Sequence, residues 1–342
     1  MNEPHLKAAR GYIFQCSADD VLLLSIEDVK FKKEDKYNEL VTHTSENLND
    51  ASWNLMGNPY LSYYDMAAMD YSAPVTVWDG EKYVAIRPGD DDYQFAPYEA
   101  FFVQKPEGEE SIGFTAEEQM TKTQAATAMA QKVAARRARG INPNRLLINL
   151  ELSIDSITDR TRVVFNNSQS HNYETACDAA KFESAGVPQI YTIDNEGVRY
   201  AINERPVGNG VVLIGYTAAE NGYYTIEATR MDTKVCLYDA ETKILHNLDE
   251  GSYTFFSGKG AFEARFSLGI RDGETTGIED LSIDEAVEVI DGGILLKGNA
   301  VANVYNASGM LVAVQKGAGI VHLPVGTYVV SIGEQSKKVV VK

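Results

Sequence analysis

The chain has 342 residues with 49 acidic and 31 basic side chains, so its formal net charge is −18. This charge argues against nucleic acids and anionic membrane surfaces as partners, because both bind clustered Lys and Arg. The apolar fraction of 44%, with no apolar run of ~18–20 residues, excludes a disordered chain, a coiled coil and a transmembrane segment, and the length predicts two or three domains.

Residues 1–115 are predicted to form a first β-sandwich module. Apolar and polar residues alternate in runs such as 75–78 and 100–104, as they do in strands with one buried face. Asp79 and Gly80 lie between two such runs. This pair is typical of a two-residue hairpin turn, because that turn requires positive φ.

Residues 116–140 interrupt the strand pattern and are predicted to form a helical linker. They are rich in Ala, Gln, Met, Lys and Arg, which all favour helix. Thr115 and Glu118 fit a capping box at its start, and Gly140 suits its end. The apolar stripe is weak, so the helix is expected to dock lightly. Its basic face is interpreted as solvated, with a functional basic helix as the alternative.

Residues 141–271 return to short strands with turns every ~8–12 residues, which is typical of a β-sandwich or jelly roll. A polar linker at 272–277 follows. Residues 278–342 contain short hairpins whose length suits a small Ig-like sandwich. The predicted fold class is therefore all-β: tandem β-sandwich or jelly-roll-like modules with a helical linker and a small C-terminal Ig-like β-sandwich.

The run WNLMGNPY at residues 53–60 resembles a signature of the C-terminal β-modules of surface and secreted proteins from Bacteroidetes. That family places a Gly-Tyr strand before the run, then a VWDG–Tyr hairpin and a strand with Phe-Phe-Val. The corresponding residues here are Gly11 and Tyr12, 77–80 with Tyr83, and 101–103. The segments 158–163, 178–182, 191–193 and 253–255 resemble the family's second β-module.

The tail resembles the sorting domain of type IX secretion. The matching pieces are VYNASG at 304–309, LPVGTYVV at 323–330 and the basic end at 337–342. The resemblance implies a non-catalytic accessory or anchoring region that lies downstream of a passenger domain, on the cell surface or secreted. It also implies a glycan, a host protein or a surface protein as partner. The chain is accordingly expected to be a fragment or mature part of a longer protein.

Aromatic residues on predicted loops and strand ends are the candidate glycan contacts. They are Tyr60, Tyr63, Tyr64, Trp78, Tyr83 and Tyr93. Exposed aromatic rings can stack on sugar faces, although the same residues equally suit core and turn packing. A carbohydrate-binding module is therefore the alternative function, and a glycan-degrading enzyme without a recognisable motif is the third. Trp53 of the signature is expected to lie in the core.

Two groups of acidic residues are weighed as metal or structural sites. Asp90, Asp91 and Asp92 follow a Pro-Gly turn and could bind Ca²⁺ or form a solvated turn. In the second module the acidic candidates are Asp155, Asp159, Glu174 and Asp178. The alternative is a local ion pair between Asp178 and Lys181. The spacing required for an EF-hand is absent, so no metal, cofactor or catalytic residue is assigned and no enzyme is expected.

Two further predictions concern covalent chemistry. Asp155, Ser156 and Ile157 fit a short pattern that resembles the O-glycosylation acceptor of these bacteria, with Ser156 as the acceptor. The cysteines are Cys16, Cys177 and Cys236. Their odd number and wide spacing predict free thiols, with one Cys177–Cys236 bridge as the alternative.

Overall fold

The structure, a computed structural model, describes residues 7–13, 34–45, 50–138, 141–208, 210–271, 283–290, 292–296, 301–316, 319–332 and 335–342. Predictions for Cys16, Gly140 and the linker at 272–277 lie outside these residues. The first of two compact units extends to Val207 and resumes at Val212–Arg271; the second contains the described residues beyond Arg271 and those of 208–211. Strands make up 53% of the structure and helices 7%, which confirms the all-β class.

The first unit begins with nine short strands, which we call the N-terminal β region (residues 34–120). They are β1 Lys36–Glu39, β2 Trp53–Gly57, β3 Tyr63–Asp65, β4 Val75–Trp78, β5 Tyr83–Ile86, β6 Gln94–Phe95, β7 Ala100–Gln104, β8 Ser111–Phe114 and β9 Gln119–Met120. They form a four-stranded sheet β2-β7-β4-β5, a three-stranded sheet β6-β3-β9 and the pair β1-β8. One aromatic-rich core joins them, in which Phe95 and Phe101 stack with ring centroids 4.4 Å apart.

The β4–β5 hairpin has a four-residue loop, so the predicted two-residue turn is wrong. Trp78 pairs with Tyr83 in the register of the two strands. The Asp79 carboxylate accepts hydrogen bonds from the backbone N–H groups of Glu81 and Lys82, each at 2.9 Å. The side chain of Asp79 therefore stabilises a longer loop. This arrangement is an alternative to the two-residue turn that an Asp-Gly pair can form.

The helix α1 Lys122–Ala138 begins six residues later than predicted. Thr115 precedes only a 3₁₀ turn, Ala116–Glu118, and its hydroxyl makes no capping hydrogen bond. The capping box lies instead at Thr121 and Gln124. The Thr121 N–H donates to Gln124 Oε1 at 2.8 Å, and the Gln124 N–H donates to Thr121 Oγ1 at 3.3 Å. Gln serves in this motif as well as Glu, so the predicted capping box at Thr115 and Glu118 is wrong in position.

The helix rests on the N-terminal β region at two points. Ala125 is buried, and the Lys132 ammonium pairs with the Asp65 carboxylate. Asp65 lies at the end of β3, where its side chain also accepts a hydrogen bond from the Ala67 N–H at 2.9 Å. The other described side chains of the helix, up to Lys132, are exposed or half-buried. Light docking of the whole helix stays a prediction.

The remainder of the first unit is the large β-sheet region (residues 146–270). Its strands are β10 Leu146–Ile154, β11 Ile157–Phe165, β12 Ala179–Ala180, β13 Gln189–Ile193, β14 Arg199–Arg205, β15 Val211–Ala218, β16 Gly222–Met231, β17 Val235–Asp239, β18 Ile244–Asn247, β19 Tyr253–Ser257 and β20 Gly260–Ile270. The strand order is β18-β17-β20-β15-β13-β14-β11-β10-β16-β19, with β12 also paired to β14. Strands β11 and β14 run parallel.

This sheet curls until its two halves face each other across one core. Phe255 of β19 packs against Phe266 of β20 with ring centroids 4.7 Å apart. The Tyr216 hydroxyl of β15 lies 3.1 Å from Ser257 Oγ of β19. The curled sheet therefore encloses its apolar face as a sandwich does, and its outer face carries the polar residues of the alternating pattern.

The second unit is a small β-sandwich. Its elements are α2 Ile283–Ala286, β21 Val287–Ile290, β22 Gly293–Leu296, β23 Val301–Asn306, β24 Leu311–Lys316, β25 Gly319–His322, β26 Gly326–Ile332 and β27 Gln335–Val341. The sheets β21-β22-β25 and β24-β23-β26-β27 share one core, to which Ile294, Val304 and Val330 contribute. The described residues of this unit form seven strands, and constant-type Ig domains also have seven.

Candidate functional site

A buried cluster of charged side chains joins the N-terminal β region to the large β-sheet region, and we call it the junction. Its members are Arg87, Asp90 and Asp91 from the first region, Arg160, Arg162 and Glu204 from the second, and Arg145, which directly precedes β10. The loop after β5 supplies the first three. Arg160 and Arg162 lie two positions apart on β11 and therefore point to the same face of the sheet. The junction is thus built by one loop that meets the outer face of β11.

Arg145 forms the centre of one half of the junction. Its Nη1 and Nη2 atoms donate to Asp90 Oδ1 and Oδ2 at 2.6 and 2.7 Å. Its Nε and Nη2 atoms donate to Glu204 Oε1 and Oε2 at 3.0 and 2.7 Å. Burial alone would raise the pKa of Glu204, but hydrogen bonds from Arg145 and Asn166 hold that pKa below its ordinary value. Glu204 is therefore an ionised carboxylate, which Arg87 also contacts.

Arg162 forms the centre of the other half. Its Nη1 and Nη2 atoms donate to Asp91 Oδ2 and Oδ1 at 2.8 and 2.7 Å, and its Nε atom donates to Asn149 Oδ1 at 2.8 Å. The Arg162 side chain is only 1% exposed. Burial opposes ionisation of Asp91, but Arg162 and then Arg160 outweigh it and lower the pKa of Asp91 to about 2. Such two-pronged contacts fix orientation as well as charge.

Apolar and uncharged contacts surround the ion pairs. Ala85 of the N-terminal β region forms a buried cluster with Ala179, Ala201 and Ile202 of the large β-sheet region. The Arg160 Nη2 atom donates to the Ala85 carbonyl at 2.8 Å. Small alanine side chains let the two backbones approach closely. The two regions are therefore held both by ion pairs and by a small buried apolar cluster.

The acidic loop at Asp90 and Asp91 is neither a calcium site nor a solvated turn. Both carboxylates are engaged by guanidinium groups. Among the residues that the structure describes, no group of three or more His, Cys, Asp or Glu side chains could hold a metal ion. The sequence interpretation lacked the arginines, which lie 55 and 71 residues further along the chain.

The predicted local pair between Asp178 and Lys181 is also wrong. Lys181 Nζ lies 2.5 Å from Asp159 Oδ2, and both side chains are 2% exposed. Asp178 instead accepts hydrogen bonds from the backbone N–H groups of Glu174 at 2.8 Å and Glu204 at 2.7 Å. Burial raises the pKa of Asp178 to about 7 despite these hydrogen bonds. The four acidic candidates do not converge, since Asp155 is exposed in a hairpin turn.

The six candidate glycan contacts divide by burial. Tyr60 and Tyr64 are 1% and 0% exposed, and their hydroxyls donate to the carbonyls of Phe114 at 2.9 Å and Ala68 at 3.0 Å. These two belong to the core and present no face to a sugar, which corrects the interpretation for both. Tyr63 and Tyr93 are half-buried. The sequence placed these four tyrosines on loops and strand ends, and such positions do not determine whether a side chain is buried or exposed.

Trp78 and Tyr83 lie on the outer face of the four-stranded sheet. Trp78 is 49% exposed and packs edge-on against Tyr83, with ring centroids 4.9 Å apart. The ring of Phe182, from the large β-sheet region, packs edge-on against Tyr83. Its centroid also lies 4.6 Å from the ring centroid of Trp53. Trp53 is therefore a half-buried contact between the two regions, where the sequence predicted a core residue. Sequence reasoning missed Phe182 because no local pattern shows which surface it covers.

The residues predicted for glycosylation or for a disulfide bridge, Ser156, Cys177 and Cys236, lie in the large β-sheet region. Ser156 is exposed in the two-residue turn between β10 and β11, where Asp155 has a φ of 50°. Its modification stays a prediction. Cys177 and Cys236 are both free, so the alternative of a bridge between them is wrong. In the described part of the chain, no helix has the length and apolar character needed to cross a membrane.

Comparison with known proteins identifies a family and a relative. The model of a family described as a domain of unknown function (DUF8693) matches residues 63–269. The minor fimbrium subunit Mfa5 of Porphyromonas gingivalis (strain ATCC 33277) is 28% identical over 189 residues, which are 51% of this chain and 15% of that subunit. The chain thus spans a small part of this relative. No solved structure matches. The family match runs from β3 to β20 and includes every residue of the junction.

Proposed function

Because the chain belongs to the DUF8693 family, whose model covers both sides of the junction, we propose that residues 63–269 act as one rigid, non-catalytic spacer. The observation that carries this proposal is the pair of two-pronged, buried contacts from Arg145 to Asp90 and from Arg162 to Asp91. A spacer transmits position only when its parts cannot hinge. The two-pronged contacts resist hinging because opening the joint must break four directed, charge-assisted hydrogen bonds together.

The spacer belongs to an exported bacterial surface protein, in which it supports a passenger domain and takes part in adhesion. The similarity to a fimbrium subunit of a Bacteroidetes bacterium supports this location. The resemblance of residues 53–60 to a surface-protein module supports it independently. On this proposal the partners are the passenger and a surface or host molecule, and the chain carries no enzyme activity of its own.

The rigid joint is tested by cutting the chain between its two regions. A site for a specific protease is inserted between Ala138 and Ile141, beyond the described turns of α1. After cleavage we expect the two pieces to co-elute in size-exclusion chromatography at about pH 7, because the junction holds them without a covalent link. The uncut protein with the same insertion is the control. Separation of the pieces without denaturant would contradict the spacer.

The second unit is proposed to serve as a sorting domain of the type IX kind. Its VYNASG segment forms the β23–β24 turn, where Asn306 Oδ1 accepts hydrogen bonds from the Ser308 and Met310 N–H groups, each at 3.0 Å. The unit has a hydrophobic core of its own. This role rests on the motif resemblance and stays a prediction.

A stop codon after Gly273 tests the sorting role in the native bacterium. We expect the truncated protein to keep the thermal unfolding midpoint of its first unit and to be lost from the surface fraction. The physical reason is that the deleted strands pair among themselves. Cell fractionation with the full-length protein as control provides the measurement. Normal surface display of the truncated protein would make the second unit an ordinary structural module.

A further inference from the structure

Two exposed aromatic side chains lie side by side at the open end of the large sheet. Tyr223 of β16 is 71% exposed and Phe256 of β19 is 56% exposed. They are register partners on adjacent strands, and their ring centroids lie 5.4 Å apart. Large aromatic side chains are mostly buried, so a neighbouring pair with this exposure is unusual for a surface with a purely structural role.

A row of hydroxyl groups runs beside this aromatic pair. Its members are register partners across four adjacent strands: Thr254 of β19, Thr225 of β16, Ser153 of β10 and Thr158 of β11. Thr225 Oγ1 and Thr254 Oγ1 lie 2.9 Å apart. Thr225 and Thr254 are each two positions from an aromatic residue of the pair, so both rows lie on one face of the sheet. The strands that carry this row lie about 4.8 Å apart.

We propose that this face, the Tyr223 face, binds a neutral saccharide chain. A sugar ring has an apolar C–H face and a rim of hydroxyls. The two aromatic rings can stack on the apolar C–H face of the sugar. The hydroxyl row can form hydrogen bonds with the sugar hydroxyls, because each protein hydroxyl can both donate and accept. The aromatic pair and the hydroxyl row together match the two chemistries that one pyranose presents.

Charge and area favour a neutral saccharide over other occupants. The next row of the same face joins Glu227, Glu151 and Arg160 as register partners, two carboxylates with one guanidinium, and the chain carries a net charge of −18. Anionic glycans and anionic lipid surfaces would therefore be repelled. A stable protein partner buries about 800 Å² on each side with 20–30 residues, whereas this face offers two aromatic rings and four hydroxyls.

The Tyr223 face is separate from the aromatic group that the sequence predicted. Trp78 and Tyr83 lie in the N-terminal β region, and Phe182 already covers Tyr83. Tyr223 escaped sequence analysis because strand alternation gives no sign of which aromatic residues face outward when both faces contain them. The inference is independent of the spacer proposal, since a saccharide face is compatible with either result of the cleavage experiment.

Affinity electrophoresis of the whole chain tests the inference. The gels contain dextran, laminarin, mannan or glycogen, and we expect at least one of these neutral polysaccharides to retard the protein. The double variant Tyr223→Ala, Phe256→Ala is expected to weaken binding about tenfold or more. The variant Thr225→Val, Thr254→Val removes two hydroxyls at nearly constant shape and should weaken binding severalfold. All four side chains reach the solvent face, so the thermal midpoint should stay close to that of the wild type.

Trp78→Ala is the matched control, since it removes an exposed aromatic residue of the other region. Its retardation should equal that of the wild type. The inference is overturned if none of the four polysaccharides retards the wild-type protein. It is equally overturned if only anionic heparin or alginate does so, or if Trp78→Ala loses binding while the Tyr223 and Phe256 variant retains it.

Discussion

Replacing Arg162 with Ala is expected to lower the free energy of unfolding of the first unit by about 3–5 kcal/mol. The substitution leaves Asp91 without its two-pronged partner and Asn149 Oδ1 without its donor, in a place where Arg162 is 1% exposed. Breaking one side of this pair leaves the Asp91 carboxylate, 12% exposed, with the longer contact from Arg160 at 3.4 Å as its remaining ion pair. Urea denaturation monitored by far-UV circular dichroism measures the loss.

Arg199→Ala is the matched control for this substitution. Arg199 also contacts two carboxylates, those of Glu183 and Glu263, but its side chain is 29% exposed and theirs are 51% and 48% exposed. Exposed pairs of this kind contribute about 0–1 kcal/mol. A loss for Arg162→Ala no larger than that for Arg199→Ala would show that the junction does not hold the two regions together.

The local β character of the chain could be predicted from alternation alone. In β7, Phe101 and Val103 alternate with Phe102, and the structure buries the first two in the core. The same reasoning located the short hairpins of the second unit, where β26 pairs with β27 over all seven of its residues. Alternation succeeds in these strands because one face of each is covered by a core that belongs to the same stretch of chain.

The junction could not be predicted, because its partners are far apart in the sequence. Asp90 meets Arg145 after 55 residues, and Asp91 meets Arg162 after 71. A run of three Asp residues carries no information about which cations will reach it. The parallel pairing of β11 with β14 is also long in range, since Arg162 is the register partner of Ile202, and it sets Arg162 and Glu204 on neighbouring strands. Charge composition alone therefore favoured a solvated loop where the fold creates a buried contact.

The exposure of individual aromatic residues could not be predicted for a related reason. Tyr60 and Tyr223 are both tyrosines beside turns, yet one is 1% exposed and the other 71%. Tyr60 lies in the core, where its hydroxyl donates a hydrogen bond to the carbonyl of Phe114, 54 residues further along the chain. Tyr223 lies on β16 beside the terminal strand β19 of the sheet. Only the order of strands distinguishes these environments, so the choice of candidate glycan contacts required the fold.

The stability of the first unit is expected to fall as pH rises from about 4 to about 7. The cause is Asp178, whose pKa is raised by burial from 3.8 to about 7 in the folded protein. In this window the folded state keeps a proton on Asp178 that the unfolded chain has released, so each rise in pH favours unfolding. The full effect is several kcal/mol, since one pKa unit corresponds to about 1.4 kcal/mol. Urea midpoints measured across this range report it.

At lower pH, Asp91 makes the free energy of unfolding rise as pH rises, because its pKa is lowered to about 2 in the folded protein. The stability that it contributes is complete above about pH 4 and is lost as pH falls towards 2. Asp178→Asn separates the two effects, because a neutral amide cannot titrate. The variant should lose the decline between pH 4 and 7 and keep the decline below pH 4. An unchanged slope between pH 4 and 7 in Asp178→Asn would contradict the assignment of this proton to Asp178.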